Sequence, residues 1–338
     1  MSEAAIETYE LAKRYGSTLA LAGLTMTVRR GEVFGFLGPN GAGKTTAVKL
    51  LAGLTRPSGG SGRLLDAPLG DVETRARVGY LPELFRYQPW MTAREVLILH
   101  AELARQPRAS RPREADDALE LVGLADRGAD RVGTFSKGMQ QRLGLGVALL
   151  GRPELVLLDE PTSALDPLGR LDVRRLIDEL RSRGVTVFLN SHLLTEVERV
   201  CDRVAIIDRG RVLLEVGMAE LLADRTVAIR ADGLDDVDLA TLGGFGRLER
   251  TGGDQLSVGG LDDERIPDLV AALVGRGVRI HAVVPSRATL EERFIGVLAG
   301  RDGGDGHRGG GDGAEPQAAA DTAGTGDART GAATEQRP

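Results

Sequence analysis

Apolar and polar positions change rhythm several times along the chain, and each change marks an element. Ala20 to Val28 alternates and leads through Arg30-Gly31 into the unbroken apolar run Val33-Phe34-Gly35-Phe36-Leu37. This predicts a hairpin feeding a buried strand. Lys44 to Leu54 carries helical spacing. Residues 92–150 read as three helices: Thr92 to Ala104, Arg113 to Val122 behind a Pro107/Pro112 linker, and Lys137 to Leu150. Strand Leu155 to Leu158, a helix opened by Asp166-Pro167 and strand Val185 to Asn190 follow. Asp166 and Pro167 suit the N-cap and first helical positions, where an oxygen acceptor and a missing N–H are both favoured. Apolar strands alternating with helices predict an α/β fold, a parallel sheet covered on both faces and interrupted by an all-helical insertion.

Past a seam near Asp224-Arg225 the rhythm shortens. Val227 to Arg230, Arg247 to Arg250 and Gln255 to Val258 are strand candidates punctuated by glycine. Asp263 to Val274 is an amphipathic helix, Val278 to Val284 a strand and Thr289 to Leu298 a last helix, so 226–298 predicts a small α+β domain. From Gly300 to Pro338 there is no Leu, Ile, Val, Phe, Tyr or Trp. Such a segment buries too little apolar surface to offset its ordering entropy, and a disordered tail is expected from residue 299.

Composition narrows the function classes. The 338 residues allow two domains of roughly 150 residues each. A net charge of −6 works against phosphate-backbone binding, so no nucleic-acid partner is expected. One cysteine, Cys201, excludes a disulfide framework. The longest run of apolar residues and glycine, Leu143 to Gly151, is nine residues, about half a membrane span. Met1-Ser2-Glu3 lacks the basic-then-apolar start of a secretion signal, which predicts a soluble, cytoplasmic protein.

Gly38-Pro39-Asn40-Gly41-Ala42-Gly43-Lys44-Thr45-Thr46 fits G-x-x-x-x-G-K-[ST] between a predicted strand and a predicted helix. Glycines let successive backbone N–H groups curl inward around phosphate oxygens, and the helix N-terminus adds positive potential. Lys44 then reaches the β/γ phosphates and the Thr45 hydroxyl binds Mg²⁺. Only four of the 43 basic residues are lysine, so a lysine here stands out: a compact ammonium fits between phosphates where a planar guanidinium does not. Strand Leu155 to Leu158 ends in Asp159-Glu160, two carboxylates that need a partner at an apolar strand end. Mg²⁺, directly or through water, suits Asp159, and Glu160 is placed to polarise a water attacking the γ-phosphate. A solvated strand-end pair is the bland alternative, which the phosphate loop upstream disfavours. His192, just past strand Val185 to Asn190, is the one histidine at a strand's carboxyl end, where α/β sheets collect ligand contacts; His100 and His281 read as surface or core and His307 falls in the tail. Phe135-Ser136-Lys137-Gly138-Met139-Gln140 opens a helix. Ser136 is either an ordinary N-cap or part of a second anion site shared with another subunit.

Taken together, residues 4–224 resemble an ATP-binding-cassette (ABC) transporter ATPase. The phosphate loop Gly38–Thr46, the signature Phe135 to Met139, the acidic motif Leu155 to Glu160, the D-loop Pro161 to Asp166 and the switch histidine His192 occur in the family's order, and Tyr15 matches its adenine-stacking aromatic. The resemblance implies a P-loop NTPase ABC-cassette fold: a mostly parallel sheet core, N-terminal antiparallel strands and a helical subdomain at about 85–150. Two positions depart from it. The signature reads Phe-Ser-Lys-Gly where Leu-Ser-Gly-Gly is usual, and Glu83 stands where glutamine is expected after Gly79-Tyr80-Leu81-Pro82. A carboxylate at 83 still offers oxygen to Mg²⁺ but adds negative charge beside phosphates. Both variants resemble the branch that exports antibiotics and drugs through a separate membrane polypeptide, as does the 226–298 block with its ending Pro285 to Phe294.

The mechanism so implied is a homodimer with two ATP molecules sandwiched between subunits. One chain contributes Tyr15, Gly38–Thr46 and Asp159 to each nucleotide; the other contributes Ser136, Lys137, Gly138, Met139 and Gln140, with Asp166 of the D-loop alongside. Thr45, Glu83 and Asp159 hold Mg²⁺, and Glu160, His192 and Lys44 serve hydrolysis. The protein would sit on the inner face of the membrane through its permease. Phe85, Tyr87 and Trp90 read either as a docking surface for that permease or as the core of the helical subdomain. A non-transport ABC-type ATPase acting on a macromolecular complex is the alternative. Chromosome and repair members carry long coiled coils where only 94 positions separate Lys44 from Gly138 here, and ribosome-acting members carry two cassettes.

Overall fold

A computed structural model describes residues 3–223, 225–234, 239–287 and 289–302. Residues 299–302, expected to begin the disordered tail, instead continue the last helix, Leu290–Asp302, and the rest of the expected tail lies outside the described residues. In chain order the strands and helices are β1 (Ala4–Tyr15), β2 (Thr18–Arg29), β3 (Val33–Leu37), α1 (Lys44–Leu51), β4 (Gly59–Leu64), β5 (Ala67–Pro68), α2 (Val72–Arg75), β6 (Val78–Leu81), α3 (Ala93–Leu103), α4 (Arg111–Leu121) and α5 (Lys137–Ala148). There follow β7 (Leu155–Asp159), α6 (Pro167–Ser182), β8 (Thr186–Asn190), α7 (Leu194–Val200), β9 (Arg203–Asp208), β10 (Arg211–Gly217) and α8 (Met218–Leu221). The C-terminal block holds β11 (Arg225–Asp232), β12 (Arg247–Gly252), β13 (Gln255–Gly259), α9 (Ile266–Val274), β14 (Arg279–Arg287) and α10 (Leu290–Asp302).

The central sheet has the order β10-β9-β3-β8-β7-β6, parallel throughout except for the antiparallel edge strand β10. Strands β3, β7 and β8 are buried at every position, which is why they read as continuous apolar runs. Their register places one functional edge: Phe36 of β3 pairs with Asn190 of β8, and Asn190 pairs with Asp159 of β7. The segments following these three strands therefore leave the sheet side by side, at the carboxyl edge where such sheets bind ligands.

The expected hairpin between Ala20–Val28 and Val33–Leu37 does not form. Instead β2 pairs with β1 in a second, antiparallel sheet of order β2-β1-β4-β5, while β3 enters the central sheet. Strand β1 escapes a period-two reading because bulges interrupt it: the register slips between Thr8 and Leu11, where Glu10 adopts φ 45°. Pro112 is not a linker residue but sits in the first turn of α4, where its missing N–H costs nothing. The aromatic trio divides. Phe85 and Tyr87 pack against the larger core, with ring centroids 5.3 Å apart and Tyr87 edge-on to His100 at 5.5 Å, whereas Trp90 is 69% exposed.

Among the described residues, buried apolar side chains form three clusters. Two fill the faces of the central sheet, and the third lies within the four-stranded antiparallel sheet β12-β13-β11-β14 and α9. Helix α10 follows the third cluster in sequence but packs Leu290, Phe294 and Val297 into the larger of the first two. Its apolar residues thus leave the block that sequence spacing groups them with. Cys201 is buried beside Gly35 of β3, and burial pushes its thiol pKa up.

Candidate functional site

Residues 38–43 bridge β3 and α1. Gly41 and Gly43 take φ of 82° and 103°, and a Cβ on Gly43 would lie 2.5 Å from the Ala20 carbonyl. A Cβ on Gly38 would meet the Ile207 carbonyl at 2.4 Å, so the loop needs glycine for space as well as for backbone freedom. Gly210 N–H donates to the Ala42 carbonyl at 2.8 Å, tying the loop to the β9–β10 turn. Lys44, at the start of α1, is buried and donates from Nζ to the carbonyls of Gly38 (2.7 Å) and Pro39 (3.1 Å). Burial lowers its pKa, opposed by the charges of Glu160, Asp159 and Glu83. The ammonium thus rests on the loop's own carbonyls, within electrostatic reach of three carboxylates. Thr45 is exposed and Thr46 half-buried on the same turn.

Asp159 ends β7 with 1% exposure, and burial holds its pKa above the usual carboxylate range. Asn190 Nδ2 donates to its Oδ1, while Asn190 Oδ1 is itself buried without a protein hydrogen-bond partner. Glu160 takes the left-handed conformation, φ 55°, a strained geometry for a residue with a Cβ. Its N–H donates to the Asn190 carbonyl at 2.9 Å, and Gln141 Nε2 donates to its carbonyl at 3.3 Å. The turn aims the side chain at His192: His192 N–H donates to Oε1 at 3.0 Å, and His192 Nδ1 lies 2.7 Å from Oε2. The imidazole is 59% exposed and the carboxylate only 10%, so the pair has one wet end and one dry end.

The remaining positions are more open. Tyr15 closes β1 with its ring 47% exposed and Lys13 Nζ 4.9 Å from the ring centroid. Ser136 is the N-cap of α5, its Oγ accepting from Met139 N–H at 3.2 Å, and Gln140 Nε2 donates to the Phe135 carbonyl. Lys137 is exposed and Gly138 half-buried. Helix α5 packs on β6, α3 and α4, whereas α1 packs on β2 and β7. The turn at 136–140 and the phosphate loop therefore belong to different parts of the chain. Asp166 caps α6, Oδ1 accepting from Gly169 N–H at 2.8 Å. Glu83 is exposed.

Residues 21–163 match the family model described as ABC transporter. An uncharacterized ABC transporter ATP-binding protein of Synechocystis sp. is 40% identical over 88% of this chain and 85% of the relative. The chain belongs to the ABC transporter ATP-binding protein family. A daunorubicin resistance ATP-binding protein of Streptomyces coeruleorubidus is 37% identical over 87% of this chain and 96% of its own. Among solved structures, an ATP binding subunit of an ABC transporter superposes with a TM-score of 0.60 at 30% identity, over 65% of this chain and 92% of that one. The protein is thus an ABC ATPase, and the cassette fold expected from its motifs is the one it adopts.

For an ABC ATPase the oxygen donors around Lys44 suit a hard cation. The Thr45 hydroxyl and the carboxylates of Asp159 and Glu83 are all oxygen, and no group of three His, Cys, Asp or Glu side chains able to hold a metal alone occurs among the described residues. Mg²⁺ usually keeps waters and shares substrate phosphates with one or two carboxylates, and this donor set fits that habit. Sequence reasoning missed Asn190, which hydrogen-bonds one catalytic-edge carboxylate by its side chain and the Glu160 backbone by its carbonyl. The available signal was a polar residue ending an apolar strand. Glu160's backbone strain has no sequence signature at all.

Proposed function

We propose that this ABC ATPase is the energy-supplying subunit of an exporter, working as a homodimer that encloses two Mg²⁺–ATP and drives a separate membrane permease. The Glu160–His192 pair carries the reading. A carboxylate whose Oε1 accepts from the His192 N–H, and whose buried Oε2 lies 2.7 Å from His192 Nδ1 without a hydrogen-bond partner, stands at the strand edge where Lys44 waits, arranged to orient and deprotonate water against a γ-phosphate. Lys44 exchanges its loop carbonyls for phosphate oxygens, which relieves the burial cost of its charge. Bound Mg²⁺, held by Thr45 and Asp159 with Glu83 nearby, would neutralise charge building on the β and γ phosphates. The open face of Tyr15 offers a stacking surface for the base. Gly38–Thr46 clasps the phosphates from one chain, and Ser136, Lys137, Gly138, Met139 and Gln140 with Asp166 close over them from the other.

Likeness to the daunorubicin resistance protein and to a Nod factor export ATP-binding protein of Burkholderia orbicola supports export. A separate permease supplies the membrane path in this reading, and no helix among the described residues is long and apolar enough to cross a membrane. The protein would then work at the cytoplasmic membrane surface, with exposed Leu84 and Trp90 free for the permease. Glu160→Gln tests the chemistry. It keeps size and one acceptor but removes the base, and turnover is expected to fall by about 100-fold or more while ATP affinity holds and a dimer accumulates. Unchanged phosphate release would remove Glu160 from the mechanism.

A further inference from the structure

Helix α7 begins two residues after His192 and is only seven residues long, with no side-chain cap at its start. An isolated helix of that length does not hold itself, so its position comes from its neighbours. Beside the core packing of Leu194 and Val200, three contacts with distant parts of the chain bear on it. Val197 is fully buried against β3, where Gly35 leaves no side chain: a Cβ there would sit 2.8 Å from Val197 Cγ1. Glu196 pairs with Arg174 of α6 at 3.4 Å, both side chains largely buried. The third contact comes from the far end of the sequence. Leu290 N–H, the first of α10, donates to Glu198 Oε2 at 2.9 Å.

That third contact is built. Thr289 and Glu292 form a capping box at the start of α10: Thr289 N–H donates to Glu292 Oε2 at 2.9 Å and Glu292 N–H to Thr289 Oγ1 at 3.2 Å. The Leu290 N–H lies outside this box, and Glu198 takes it. A carboxylate on a helix N-terminus gains from charge assistance and from the helix dipole. Leu290 itself is fully buried in the larger core, and Phe294 and Val297 follow it there. The C-terminal block is thereby latched to the helix that directly follows His192.

We propose that Glu198 is a positioning residue for ATP hydrolysis: by holding the first N–H of α10 it sets the seat of α7, and so lets the C-terminal block control how His192 meets Glu160. This rests on the role given above to the Glu160–His192 pair. Glu198 touches neither nucleotide-binding loop nor reacting group, so its loss acts on turnover and leaves binding alone.

The test measures phosphate release, nucleotide affinity and Tm of the full-length chain in four variants: Glu198→Ala, Glu198→Gln, His192→Ala and the double variant Glu198→Ala/His192→Ala. Glu198→Ala is expected to lower kcat about tenfold, the size of one charge-assisted hydrogen bond, with nucleotide Kd unchanged. Glu198→Gln keeps an acceptor and recovers most of the rate. In the double variant the Glu198→Ala effect disappears, because it works through a histidine no longer present. A wild-type rate for Glu198→Ala, or the same fold loss with and without His192, overturns the proposal and makes the contact merely structural. A wild-type rate for His192→Ala overturns the underlying reading and the proposal with it.

Discussion

At the scale of residues, burial disfavours the charged forms of Lys44 and Asp159. Asp159 is held above the ordinary carboxylate pKa of 3.8 by burial, so the folded chain is penalised for ionising it. The penalty is absent below that range, where the group is protonated folded or unfolded, and it grows as pH rises through and beyond 3.8. Asp159→Asn keeps the oxygen that accepts from Asn190 and deletes the charge. The nucleotide-free variant is therefore expected to melt above wild type at pH 7, by roughly 2–4 °C per kcal/mol relieved, and to match it near pH 3. Scanning calorimetry across that pH range checks both halves of the statement. The loop residues and the acidic pair were legible in the sequence because their chemistry is written in consecutive positions. Asn190 and the strained turn at Glu160 were not, since each takes its meaning from a neighbouring strand far away in sequence.

At the scale of elements, the carboxyl edge of the central sheet depends on register, and register depends on close packing behind it. The continuous apolar runs of β3, β7 and β8 and the three long helices of the insertion were legible from spacing alone. The sheet assignment of β2 was not. A short turn beside Gly31 reads as a hairpin whether or not the flanking strands pair, and the true partner, β1, hides its alternation behind a bulge. Gly35 shows how tight the packing is. An added methyl would face Val197, Val204 and Cys201 at 2.8, 2.9 and 3.1 Å. Gly35→Ala is expected to cost about 1–3 kcal/mol, as overpacked cores do, and urea unfolding would register it as a lower midpoint. A midpoint equal to wild type would mean that α7 yields more easily than this packing implies.

For the whole molecule, the proposed function divides each nucleotide site between two chains. Gly138 gives a clean probe, because a Cβ there meets Leu165 Cδ2 at an ordinary 3.4 Å and folding is spared. In the proposed dimer, Gly138→Asp sets a carboxylate against the partner's phosphates. Heterodimers carrying Lys44→Ala on one chain and Gly138→Asp on the other confine both defects to one nucleotide and keep one complete site. The same two substitutions on a single chain spoil both sites. Phosphate release surviving in the first arrangement and lost in the second is the expected outcome; the reverse order, lost in the first and surviving in the second, would argue for sites assembled within one chain.

The seclusion of Cys201 has a practical side. It is the chain's one sulfhydryl, sealed in the core with its thiol held protonated by burial. Maleimide dyes and spin labels will pass it by in the native state, so a cysteine introduced at any exposed position becomes a solitary handle. Subunit closure and the seating of the C-terminal block can both be followed by spectroscopy on an otherwise native background.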